Sequence, residues 1–182
     1  MRLLSQLRAA LFAGALGIAI QAASAEPVVS GSDLQAAMRA LGFLDSLPHD
    51  GTIHVGVVYS LSSPEDKAAA QQTAGALNAM QGPNSRTLRA DAIAATGLQQ
   101  AQGRLDALYL LPGSSSTAAT ISDFVHRRRI VSISNDVACL SARCCVLMVR
   151  TANGVEIVLD TTLADSVGAQ FSSVFQMMVK RK

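Results

Sequence analysis

Residues 53–66 read IHVGVVYSLSSPED, and this stretch decides the architecture of the chain. Ile53 to Tyr59 is a short, β-branched run with apolar side chains at both parities, the pattern of a strand buried on both faces. Such strands belong to parallel sheets covered by helices. Ser60 to Ser63 then makes a polar loop. Ser63, Pro64, Glu65 and Asp66 open a helix, with a capping hydroxyl, proline at the first helical position and carboxylates where the helix dipole favours them. This helix is expected to run to about Met80, before Gly82, Pro83 and Asn84 break it.

The same unit recurs downstream. Leu105 to Leu111 is a near-continuous apolar strand closed by Pro112 and Gly113. Ser114, Ser115, Ser116 and Thr117 follow, and then the helical stripe Ala118, Ile121 and Val125. Leu88 to Ile93 and Ile130 to Ser134 read as further strands, and Leu98 to Gln102 as a short helix. Upstream, Ser32 and Asp33 are placed to cap a helix whose apolar residues Leu34, Ala37, Met38, Leu41 and Leu44 recur at helical spacing, ending near Pro48. Downstream, Val146 to Arg150 and Val155 to Leu159 flank Asn153-Gly154, the strongest short-range hairpin signal. Leu163, Val167, Phe171, Val174, Phe175 and Met178 then read as one closing amphipathic helix. The expectation is an α/β fold: a single three-layer domain, mostly parallel sheet, with a C-terminal antiparallel hairpin and a closing helix.

Residues 1–25 carry Arg2 and Arg8, the apolar run Leu11 to Ile20, and Ala23, Ser24 and Ala25. They read as a secretory signal peptide cleaved after Ala25, leaving residues 26–182 as one domain exported to the periplasm. The apolar run is shorter than the roughly 20 residues that span a bilayer. Cleavage removes two of the 15 basic residues, so 13 face 13 acidic ones. That balance gives no reason to expect a nucleic-acid partner. With 49% apolar residues the chain can bury one sizeable core without help from disulfides.

In an exported protein, the clustered Cys139, Cys144 and Cys145 are expected to oxidise. Adjacent cysteines are poorly placed to bond one another, so Cys139 is expected to pair with Cys145, with Cys144 as the alternative partner. Cys144 is then the free thiol. The bridge reads as a local staple worth about 2 kcal/mol in the loop-entropy model, the competing reading being a redox-responsive thiol. The spacing does not make a metal site.

None of His49, His54 and His126 has a sequence neighbour that would make it a catalytic base. His126, Arg127, Arg128 and Arg129 read as a basic helix end, and Lys180, Arg181 and Lys182 as a basic tail. The chain has no GxSxG, P-loop or GxGxxG, so no catalytic residue, cofactor or metal is expected. What remains are the loops at the carboxyl ends of parallel strands, the usual ligand position in open α/β sheets: Ser60, Ser62, Ser114, Ser115, Ser116, Asn135 and Asp136. Hydroxyl-rich loops that lead into helices suit an anionic or carboxylate group, although the same residues also serve as ordinary helix caps.

The element order, together with Ser134, Asn135 and Asp136 after a strand, the 139–145 cysteine loop, the hairpin and the amphipathic ending, resembles the YfiR-like periplasmic proteins. The resemblance is best over about 130–182, where Val155 to Asp160 and Phe171 to Met178 follow the family's ending. Leu47 stands where that family commonly has tryptophan, and the glycine-rich stretch expected near Val146 to Met148 is absent. The resemblance implies a non-enzymatic regulator that contacts the periplasmic part of a membrane-bound diguanylate cyclase and represses it. It also implies a homodimer. The competing expectation is a small-molecule binding module related to one lobe of a type 1 periplasmic solute-binding protein, where strand, serine-rich loop and helix units also recur. A hydrolase lacks the nucleophile and base it would need.

Overall fold

The computed structural model describes residues 29–47, 51–61, 63–101 and 103–182. The expected signal peptide, Pro48, His49, Ser62 and Gln102 lie outside the described residues. The chain runs through α1 (Gly31–Leu41), β1 (Thr52–Tyr59), α2 (Pro64–Asn78), β2 (Thr87–Ala94), β3 (Ala107–Leu110), α3 (Ala118–Arg128), β4 (Val131–Ser134), α4 (Val137–Ser141), β5 (Leu147–Arg150), β6 (Glu156–Leu159), α5 (Thr161–Val167), α6 (Ser173–Met178) and β7 (Lys180–Arg181). Seven strands form one sheet in the order β2-β1-β3-β4-β5-β6-β7. The pair β5–β6 is antiparallel and all other pairs are parallel.

The expected α/β architecture is therefore present, and the core shows why. Ile53, Val55, Val57 and Val58 of β1 are buried, as are all four residues of β3 and of β4. Burial at both strand parities requires cover on both faces of the sheet. Helix α2 packs along β1 and β2, while α3 packs beside α5. Buried Ser132 and Ser134 do not break the apolar pattern, because Ser132 Oγ accepts from the Val146 N–H at 3.2 Å and Ser134 Oγ donates to the Leu110 carbonyl at 2.9 Å.

Several local expectations change. Helix α1 is capped by Ser30, whose hydroxyl accepts from the Asp33 N–H at 3.1 Å, two residues before the expected cap. That shift frees Ser32 and Asp33 to reach Thr151. Helix α1 stops at Leu41, and Leu44 instead bridges to Phe171. The segment expected to form a short helix after β2 is a 3₁₀ turn, Ala95–Gln100.

The closing helix is two helices. Gly168 sits at φ 70° as the cap of α5, and a left-handed residue of this kind ends a helix by turning the chain away. Leu163, Ala164 and Val167 are buried from α5, while Phe171 and Phe175 pack elsewhere, with ring centroids 5.1 Å apart. A helical periodicity that continues across Gly168 thus serves two separate surfaces. The tail does not end as a free basic segment, because Lys180–Arg181 adds β7 alongside β6.

The arginine cluster stays exposed at the end of α3, as a basic helix end should, and makes contacts along the surface. Arg127 binds Gln99 and lies 3.4 Å from Asp123, Arg128 donates to the Gly103 carbonyl at 2.7 Å and covers the Phe124 ring, and Arg129 lies against Gly168.

The cysteine pairing is corrected: the disulfide joins Cys139 to Cys144, and Cys145 is the free thiol. Helix α4 ends in a tight turn, with Arg143 at φ 55° and the Cys144 N–H on the Cys139 carbonyl at 3.0 Å. That turn brings the Cα atoms of Cys139 and Cys144 to 5.2 Å, within bonding range. Cys145 is the next residue along and is fully buried in the core. Burial pushes its thiol up to about 12, with the Asp160 and Asp136 charges adding to the shift, so almost no thiolate forms near neutral pH.

Candidate functional site

The strand order fixes where a ligand site can form. From β1 the sheet grows one way to β2 and the other way to β3, so β1/β3 is the topological switch point at which successive connections leave in opposite directions. The loop after β1 (Ser60 to Ser63) and the loop after β3 (Leu111 to Thr117) flank this point. The loop after β4 (Asn135, Asp136) adjoins the second of them. Sequence reasoning selected these loops, and the structure arranges them along one edge of the sheet.

Most of their polar atoms are already engaged. Ser60 is buried and donates to Asp66 Oδ2 at 3.1 Å. Ser63 and Asp66 cap each other reciprocally at the start of α2, through Asp66 N–H to Ser63 Oγ at 3.3 Å and Ser63 N–H to Asp66 Oδ2 at 3.2 Å. Ser114 is buried with its hydroxyl on the Leu111 carbonyl at 2.6 Å, and Ser116 donates to the Gly113 carbonyl at 2.9 Å. These serines shape the loop. Ser115 differs, since its half-exposed hydroxyl has no hydrogen-bond partner among the described residues.

Asp136 ties two loops together. Its Oδ2 accepts from the Gly113 N–H at 3.2 Å and its Oδ1 from the Ala138 N–H at 2.8 Å, so one carboxylate caps α4 and holds the β3 loop beside it. Gly113 stands at φ 86°, a backbone conformation that disfavours side chains.

Asn135 leads into a polar cluster that the sequence did not reveal. Its Nδ2 donates to Asp33 Oδ2 at 3.2 Å, while its Oδ1 is buried without a partner among the described residues. Asp33 Oδ1 accepts from both the N–H and the hydroxyl of Thr151. Tyr109, Ile133 and Leu147 are register neighbours, so the face they share also carries Asn135, two residues beyond Ile133, and Thr151, four beyond Leu147. The Tyr109 hydroxyl is buried and has no partner among the described residues, and burial together with the Asp33 charge raises it above its usual range. Two unsatisfied polar atoms thus lie on the α1 side of the sheet's carboxyl edge, where solvent or a ligand would satisfy them.

Among the described residues, no three His, Cys, Asp or Glu side chains form a metal-binding group, and no helix is long and apolar enough to cross a membrane. His54 is half-buried in β1, where its backbone pairs with Asp106 on both sides, and His126 lies exposed on α3 against the Ser122 carbonyl.

No protein-family model and no curated protein matches the sequence. The structure is similar to that of a conserved domain protein from Vibrio cholerae O1 biovar El Tor, with a TM-score of 0.55 and 14% identity over 86% of this chain. It is also similar to an ABC domain in complex with L-Trp from Streptococcus pneumoniae, with a TM-score of 0.52 and 11% identity over 85% of this chain. The chain spans 60% of the length of each of these two proteins. At such identities the likeness is one of fold, and the fold shared with both is α/β.

Proposed function

We propose that this chain is a small-molecule binding module, built like one lobe of a periplasmic solute-binding protein, with its ligand position at the carboxyl ends of β1 and β3. The observation that carries this reading is the strand order, which puts the switch point between two short loops fastened by their own side chains. A loop held by Asp136 and Ser114 is preorganised, so little ordering cost remains when a ligand binds. The fold likeness to a domain solved with L-Trp supports the same class of ligand.

The charges favour a neutral or amine-bearing molecule. Glu65, Asp66 and Asp136 stand at these loops, and the capping box of α2 already occupies the helix N–H groups that would receive an anion. The anionic ligand expected from the serine-rich loops is therefore not favoured. Among the described residues of these loops, Ser115 has the hydroxyl without a hydrogen-bond partner, and it is the one that would meet a ligand. The module acts in the periplasm and is non-enzymatic in this reading.

Thermal unfolding in the presence of each of the twenty amino acids tests the proposal. A neutral or basic amino acid at 100 times its dissociation constant should stabilise the fold by about 2.7 kcal/mol. Ser115→Leu should remove that stabilisation while leaving the unliganded melting temperature nearly unchanged. A null result for the whole panel, combined with reproducible crosslinking of the protein to a membrane diguanylate cyclase, would support the regulator implied by the resemblance of residues 130–182 instead.

A further inference from the structure

A second concave surface lies away from the switch point. Helix α1, the β5–β6 hairpin and α6 enclose a groove of about 450 Å³, within the size range of small-molecule sites. Most of its lining is apolar, with Ala36, Ala40, Phe43, Ile157, Phe175 and Met178, while Ser32, Gln35 and Thr151 are polar. Phe43 and Phe175 stack with ring centroids 5.0 Å apart. Phe175 is buried at the floor, whereas Phe43, Val155 and Met178 remain 37%, 71% and 63% exposed around the rim. Exposed apolar residues gathered round a concavity mark a binding surface more often than chance placement does.

The charge that lines the groove is positive. Arg39 is the charged residue among those lining it, exposed on α1 and without an ion pair among the described residues. An adjoining hollow shares Val155, Ile157 and Met178 and adds Arg150, Glu156 and Lys180. There, Glu156 Oε2 lies 2.5 Å from Arg150 and Oε1 lies 2.8 Å from Lys180, so both carboxylate oxygens are engaged and the surroundings stay positive.

We infer that this groove binds an anionic amphiphile. The hydrocarbon body lies on the Phe43–Phe175 floor and the carboxylate pairs with Arg39. A free amphiphile fits better than a bilayer surface, because the site is a concavity walled by α1, the β5–β6 hairpin and α6, which a single chain enters and a flat membrane does not. The unbranched thioether of Met178 gives the rim a side chain that adapts to the ligand.

Calorimetric titration of the full chain with decanoate, 1-decanol and decylamine tests the inference. Decanoate is expected to bind at least tenfold more tightly than either of the other two. Arg39→Gln, an exposed change with little effect on folding, should weaken decanoate about tenfold and leave 1-decanol unaffected. Ala36→Trp, which fills the groove, should abolish binding of all three with an unchanged circular dichroism spectrum. Equal affinity for decanoate and 1-decanol, or unaltered decanoate affinity in Arg39→Gln, would overturn it. So would binding to phosphatidylglycerol vesicles without binding of monomeric decanoate, which would identify a membrane contact instead.

Discussion

Asp33 takes two hydrogen bonds from one distant residue: its Oδ1 accepts the Thr151 backbone N–H at 2.8 Å and the Thr151 hydroxyl at 2.7 Å, across 118 positions of sequence. With Asn135 on the other carboxylate oxygen, a single side chain fastens the first turn of α1 to the ends of β4 and β5. Asp33→Asn is expected to cost about 2 kcal/mol in urea unfolding at neutral pH, the size of hydrogen bonds to a charged group.

The pH dependence of that loss has a definite sign. Burial alone would raise the Asp33 carboxyl, but hydrogen bonds from Thr151, Asn135 and Ser30 outweigh it and hold the group below its ordinary value of 3.8. A group lowered in the folded state contributes its full stability above the unfolded value, and the contribution is lost as pH falls through the folded one. The stability gap between wild type and Asp33→Asn should therefore stay constant above about pH 5 and narrow below about pH 4. A gap that stays the same from pH 7 to pH 2 would show that the carboxylate charge is not what matters.

The cysteine arrangement leads to a labelling pattern. Iodoacetamide should leave the folded, unreduced protein unmodified, because Cys145 is buried with its thiol pushed up to about 12. Unfolding without reductant should expose one reactive thiol per chain, and Cys145→Ala should expose none. Replacing Cys139 and Cys144 together by alanine should destabilise the fold by about 2 kcal/mol, the chain-entropy value for so short a loop. Modification of Cys144 in the unreduced protein would refute the pairing.

Helix α6 separates buried from exposed side chains sharply enough to test by substitution. Phe175→Ala should cost about 3–5 kcal/mol, since the ring is 1% exposed and stacks on both Phe43 and Phe171. Met177→Ser, at 79% exposure, should change stability by less than about 0.5 kcal/mol. Comparable losses at both positions would contradict the observed rotation of α6.

At Gly168, alanine should be strained by its backbone angle, while the exposed Arg129 side chain can shift to make room for the methyl group. The glycine's φ of 70° lies in the left-handed region, and an added Cβ would come 2.7 Å from the Arg129 guanidinium. The backbone cost is about 1–2 kcal/mol. A Gly168→Ala protein as stable as wild type would mean that α5 and α6 tolerate joining into one helix.

What the sequence made legible was whatever local chemistry determines. The double-sided burial of Ile53 to Tyr59, the capping hydroxyl of Ser63 at the start of α2 and the Asn153-Gly154 hairpin each act within a few residues, and each appears where expected. The α5–α6 break was hidden because Leu163 through Met178 keep a helical period across Gly168, and the backbone angle there leaves no trace in that period. Cys139 pairs with Cys144 because of the turn at Arg143, a geometry that spacing does not encode. At the ligand edge, the loops were legible from serine composition, but the uses of their hydroxyls were not. Ser60, Ser114 and Ser116 bond within their own loops, and the Asp33–Thr151–Asn135 cluster exists only once α1 is laid against β5. The apolar groove was equally hidden, since Phe43, Val155 and Met178 come from three distant segments.

The most direct test of a ligand site at the β1/β3 edge is a two-dimensional amide NMR titration of the protein with the amino acid that most raises its melting temperature. Shift changes concentrated at residues 60–63 and 113–117, absent in Ser115→Leu, are the expected result. Changes confined to α1 and α6, or none at any concentration, would contradict it.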